Sequence, residues 1–153
     1  MKITVQDNTL QVAKNFEKQV KEQPLIVKTA LGRTAEFVMG IIKQRTGRGI
    51  GADGSKFPAY TQAYKDFRIK AGRQVQYPDL NFSGQMLSSM TQKSEPSYAI
   101  IFFANKFQNI KAVGNQAKRK FFAIGDREQQ PIINVFMNEY KKLSIIKWAN
   151  EKI

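Results

Sequence analysis

The sequence predicts an α+β domain in which long N-terminal helices and a C-terminal helix pack on a small antiparallel sheet. Three observations lead there. Apolar residues recur at helical spacing through residues 12–42, a largely apolar run over 97–104 follows a hairpin signal, and a second helical repeat runs through 132–143. A chain of 153 residues is the length of one ordinary domain, and no linker or internal repeat divides it, so residues 1–153 read as a single unit.

Taken in order, residues 3–5 read as a short edge strand. Thr9 is an N-cap for a helix carrying Val12, Ala13, Phe16 and Val20 on one side. Pro24 interrupts that helix or opens the next one at its first turn. The second helix has the strongest pattern: Ile26, Val27, Ala30, Leu31, Thr34, Phe37, Val38, Ile41 and Ile42 form one broad apolar face, and Gly47 supplies a stop after Arg45 and Thr46. Residues 47–60 lack periodicity and hold four glycines and Pro58, which predicts a long flexible loop with a tight turn at Asp53-Gly54.

Residues 61–71 form a short basic helix closed by Gly72, and Ser83 caps another over GQMLSSM. A hairpin follows, with Thr91 to Lys93 on one side, a turn at Glu95-Pro96, and a strand over 97–104. On that strand Tyr98, Ile100 and Phe102 face one way and Ala99, Ile101 and Phe103 the other. Phe102 is expected to pack against the long helix near Phe37 and Ile41. Residues 118–124 (KRKFFAI) read as a third strand. The last helix begins between Asp126 and Pro131, with Ile132, Val135, Phe136, Tyr140 and Leu143 on its apolar side.

Composition bounds the chemistry. There is no cysteine and no histidine, which removes disulfides, thiolate metal sites, Ser–His and Cys–His nucleophile systems and the commonest metal ligand. The remaining inventory of Asp, Glu, Lys, Tyr and Ser points away from an enzyme and implies no cofactor or metal. No apolar run approaches a membrane span, and the N-terminus lacks a signal-type apolar core, so a soluble protein made in a cytoplasm is expected.

The stretch GIGADGSK, residues 49–56, matches G-x-G-x-x-G and nearly matches a phosphate loop. Both motifs need a strand before the glycines and a helix after them. Here a long helix precedes, and Pro58 holds Phe57 extended and blocks a following helix. Ser55 stands where a phosphate loop requires lysine. No nucleotide site follows, and Gly49 and Gly51 are expected to tolerate alanine.

The net charge of +13 is concentrated. Residues 41–73 carry net +6 and residues 105–122 net +5, the latter without a single acid. Arg48, Lys56, Lys65, Arg68, Lys70, Arg73, Lys118 and Lys120 are therefore candidate contacts to an anionic partner, protein or nucleic acid. The plainer reading is a solvated basic surface.

From Asp53 the succession DGSKFPAYTQAYKDF, then LNFSGQMLSSM, a strand pair, and KRKFFAIGDRE before a last helix resembles the virion morphogenesis, or tail-completion, family of tailed bacteriophages. Members of that family carry a DG-x-x-W-x-P-like segment, a T-G-x-L-x-x-S helix start, a hairpin and an R-P-F-L-G-like strand. Asp53, Gly54, Phe57 and Pro58 match the first, with Phe for Trp. Ser83, Gly84, Leu87 and Ser88 or Ser89 match the second, with Ser for Thr. Arg119 and Phe121 match the third, with Lys120 in place of Pro, and the family's histidine-containing strand end is absent. The resemblance runs from about residue 25 to 143. It implies a structural virion protein of the neck, a homo-oligomeric ring of six subunits between the head connector and the tail tube or tail terminator, assembled in the host cytoplasm without membrane contact. The alternative is a basic nucleic-acid-binding protein that uses phosphate contacts and aromatic stacking. Without any partner, Phe57 and Phe121 read as core anchors, Ser83 and Gly84 as a helix start, and Gly54 as a turn.

Overall fold

The computed structural model describes residues 9–150, and the strand expected at residues 3–5 lies outside them. The chain is mixed helix and strand: α1 (Thr9–Gly47), α2 (Gln62–Lys70), α3 (Gln85–Ser88), β1 (Met90–Glu95), β2 (Tyr98–Phe103), α4 (Lys106–Gln116) and α5 (Asp126–Asn150). No helix among the described residues is long and apolar enough to cross a membrane.

The two expected N-terminal helices are one. α1 runs through Pro24 for 39 residues; the proline stands at an exposed position and removes a single backbone donor. α1 and α5 lie antiparallel, as their side-chain links show: Arg45 with Glu128, Arg33 with Glu139 at 2.7 Å, and Gln23 with Tyr140 at 2.9 Å. The hairpin β1–β2 pairs Met90 with Phe103 through to Glu95 with Tyr98. Its inner face packs on α1 where Gly32 lets Ser94 and Gln92 approach.

The alternation on β2 is as predicted, and the core faces the second set. Phe103 is buried, whereas Tyr98, Ile100 and Phe102 are 50%, 49% and 42% exposed. Phe102 is thus not a core residue. Phe37 is likewise largely exposed. The core instead joins Val38 and Ile42 of α1, Phe57, Met86 and Leu87 of α3, Met90 and Phe103 of the hairpin, Ala112 of α4, and Phe121. Phe103, Phe121 and Phe122 form an aromatic cluster with centroids 5.0–6.3 Å apart.

Residues 118–124 are not a third strand. Among the described residues the sheet has two strands, and this segment is an irregular turn with Phe121 buried. Its backbone bonds go elsewhere: Lys120 O accepts from Ala52 N at 2.8 Å, and Phe121 O and Ala123 O accept from Arg45 Nη2 at 2.7 and 2.8 Å. With these groups satisfied, no neighbouring strand is needed.

The 47–60 segment, expected as a long flexible loop, is closed by its own backbone bonds. Ile50 bridges Lys56, Phe57 N donates to Gly49 O, and Gly51 N to Ser55 O. Asp53 Oδ1 accepts from both Ser55 N and Ser55 Oγ, which makes Asp53-Gly54 the predicted tight turn. Tolerance to alanine at Gly49 is not what the geometry gives. Gly49 has φ +73°, and a Cβ there would lie 3.0 Å from Pro78 O. Ser83 does not cap α3 either; the N-cap is Gly84, with φ +79° and no side-chain bond.

Helix α4 has no counterpart in the sequence reading. Asn105 caps it, accepting from Phe107 N at 2.9 Å and Gln108 N at 3.2 Å. Its orientation runs against its pattern: Gln108 and Ala112 face inward, while Phe107, Ile110 and Val113 are 73%, 60% and 64% exposed.

Candidate functional site

Helix α2 and the loops around it build a site that the glycine stretch does not. Thr61 caps α2, its side chain accepting from Tyr64 N, and Gly72 closes it with φ +65°. One residue of α2 decides the local architecture. Arg68, named above as a contact to an anionic partner, is only 1% exposed. Its Nε donates to Gln74 O at 2.9 Å and Nη1 to Tyr60 Oη at 3.2 Å. Nη2 donates to both carboxylate oxygens of Asp79, at 3.1 and 3.2 Å. A guanidinium with its donors so engaged cannot also serve phosphate, and Arg68 is removed from the set of free cations.

The network is closed from the other side. Asp79 accepts from Gln74 Nε2 at 2.7 Å, Asn81 N at 3.0 Å and Tyr60 Oη at 3.2 Å. Burial, followed by the charge of Asp79, raises the Tyr60 phenol above its ordinary value. Next to Asp79, Leu80 adopts φ +53°, a conformation β-carbon-bearing residues rarely hold. Its side chain nevertheless packs on the core, so this network and the core together over-determine it.

Above the network lies a cleft of about 850 Å³. Tyr60, Tyr64, Phe67 and Phe82 form its aromatic wall, with Phe67 stacked on Phe82 at 5.3 Å and Tyr64 on Phe67 at 6.0 Å. Lys111 and Lys118 line the same cleft, as does Arg119, which donates to Pro58 O at 3.0 Å and sits 5.5 Å from the Tyr60 ring centre. Among the described residues, no acid lines it. Two buried polar atoms on lining residues have no partner: Gln108 Oε1 and Arg119 Nε.

No family model, curated protein or solved structure matches this chain.

The structure sorts the sequence-predicted residues into three groups. Phe57, Leu87 and Phe121 are buried in the core, and Asp53 and Gly54 form the turn. Pro58, Ser83, Gly84, Arg68, Lys118 and Arg119 meet at the cleft, which brings the two basic blocks together. Arg48, Lys56, Lys65, Lys70, Arg73 and Lys120 lie outside its lining, although Arg73 approaches the Phe82 ring at 5.8 Å. Sequence reading missed Tyr60, Asp79, Phe82, Gln108 and Lys111. The run of aromatics from Tyr60 through Phe67 was a usable signal, but Gln108 and Lys111 needed α4, whose outward apolar stripe hides its register.

Proposed function

We propose that this chain is a structural virion protein of the neck or tail-completion type, acting by assembly and not by catalysis. The observation that carries the reading is the amount of apolar surface left open on two consecutive elements: Tyr98, Ile100 and Phe102 on the outer face of β2, and Phe107, Ile110 and Val113 on α4. Open apolar clusters of this kind on a small domain mark interaction surfaces. Two unlike patches favour a heterologous contact, patch against different patch, which closes into a ring when the rotation permits. The six-fold ring between head connector and tail comes from the resemblance carried by Asp53, Gly54, Phe57, Pro58, Ser83, Gly84 and Leu87.

The nucleic-acid reading has less support. Arg68, one of the cations on which it relies, is engaged within the chain, and Phe121 is wholly buried and offers no ring to a base. Native mass spectrometry tests the proposal. A discrete multiple of the chain mass is expected, and Ile100→Glu or Ile110→Glu should return it to monomer without unfolding it. A wild-type chain that stays monomeric at about 100 μM, well above the dissociation constants of stable interfaces, would overturn the ring.

A further inference from the structure

We infer that the cleft beside α2 takes an extended acidic segment of a different protein, which would be the heterotypic neighbour of the proposed ring. The inference rests on the ring reading for its biological place, but its chemistry stands on the cleft alone.

Charge gives the first argument. Lys111 and Lys118 are exposed, line the cleft, and form no ion pair among the described residues, while no carboxylate lines the cleft to balance them. A second copy of this chain, with 25 basic against 12 acidic side chains, is a poor occupant of this basic cleft, whereas the proposed ring contacts are apolar. An acidic partner is complementary.

Hydrogen bonding gives the second. Gln108 is 8% exposed, and its buried Oε1 lacks a donor, while the buried Nε of Arg119 lacks an acceptor. An unsatisfied buried polar atom is costly, so a segment that displaces the side chains covering these two atoms and pairs them gains affinity. A peptide segment carries both N–H donors and C=O acceptors, the two kinds of partner these atoms lack. A phosphate backbone carries acceptors alone and leaves Gln108 Oε1 unpaired. The aromatic wall supplies the third. Tyr64 and Phe67 are 37% and 54% exposed, giving an apolar side chain of the segment a surface to cover.

Fluorescence anisotropy on the full chain tests this with a dye-labelled peptide of alternating aspartate and leucine, about eight residues and roughly 26 Å long when extended. Saturable binding with Kd near 100 μM or tighter is expected at about 0.1 M salt. The same peptide with asparagine for aspartate should bind at least roughly tenfold more weakly, as should the acidic peptide on Lys111→Glu with Lys118→Glu. Both lysines are exposed, so circular dichroism should show that this variant folds. Gln108→Leu should weaken binding about threefold or more with the salt dependence unchanged. Ile100→Glu should abolish the ring and leave Kd unchanged, so the two readings fail separately. No saturable peptide binding, or equal binding of the asparagine peptide, would overturn the proposal. So would tighter binding of an oligothymidylate of matched length that depends on Lys111 and Lys118, which would assign the cleft to single-stranded nucleic acid.

Discussion

The frame made by α1, α5 and the hairpin and the lobe made by residues 58–84 are held together by different physics. The frame closes over apolar side chains, with Phe121 fully buried at its centre and Arg45 tying the end of α1 to the start of α5 and to the 121–123 backbone. In the lobe, α2 packs extensively on no other helix or strand, and the segment is organised around one buried cation, Arg68, and its carboxylate, Asp79. Apolar burial is non-directional and strong in sum, so it sets overall stability. A buried ion pair contributes little net stability but leaves few alternative geometries. The lobe is therefore placed with definition while its aromatic surface stays open, an arrangement suited to receiving a partner.

Phe121→Ala gives the largest expected effect. Removing a wholly buried aromatic at the junction of α1, the hairpin and the 121–125 turn should cost about 3–5 kcal/mol. Chemical denaturation should show it as a lower midpoint, with frame and lobe signals still falling together. A shift under about 1 kcal/mol would mean the frame does not depend on this cluster, and the contrast with the lobe would collapse.

Arg68→Met should act on one side of the contrast only. It leaves Asp79 with its charge but without its cation, costing about 1–3 kcal/mol in the lobe, since Asp79 keeps bonds from Gln74 and Asn81. Hydrogen exchange should rise across residues 58–84 and stay near wild type in α1 and α5. Asp79→Leu added to Arg68→Met should recover much of the loss, because replacing both partners removes the uncompensated charge. Uniform loss of protection over the whole chain would show that lobe and frame are one cooperative unit.

The sequence carried the frame better than the lobe, for a physical reason. Apolar repeats at period 3.6 and 2 report burial against a core, and α1, α5 and the hairpin follow them. The exceptions are instructive. Phe102 and Phe103 are adjacent and equally apolar, so alternation identified two faces but not which one is inside. KRKFFAI looked like a strand, yet its aromatics are buried by a turn whose carbonyls are taken by Arg45 and Ala52. Helix α4 turns Gln108 and Ala112 inward and three apolar residues outward, the reverse of the pattern that reveals a helix. At the candidate site the basic blocks were visible, but not that Arg68 is internal. That depends on Asp79, eleven positions away, reaching it across a loop.

The smallest expected effect is on pH, where frame and lobe should respond at opposite ends. Hydrogen bonds from Lys93 and then Lys28 hold the Glu95 carboxylate below its ordinary 4.5, and those from Arg33 and then Lys142 do the same for Glu139. Both acids link α1 to another part of the frame, β1 and α5 respectively. A carboxylate whose folded pKa is depressed contributes stability above its unfolded value and loses it as pH falls through the folded one. The frame should therefore weaken progressively below pH 4.5. The loss should be modest and should shrink further in about 1 M salt, because the pairs are solvent-exposed and screened. Tyr60 has the opposite sign. Its pKa is raised above 10.0, so its contribution is complete below that value and fades as pH rises through the folded pKa. The phenolate absorbance difference between wild type and Tyr60→Phe should titrate above pH 10.0, with proteolytic cleavage appearing in residues 58–84 over the same range. Cleavage that begins in α1 or α5 at alkaline pH, or a Tyr60 that titrates at or below 10.0, would show that burial beside the Asp79 carboxylate does not keep that hydroxyl protonated as a donor to Asp79.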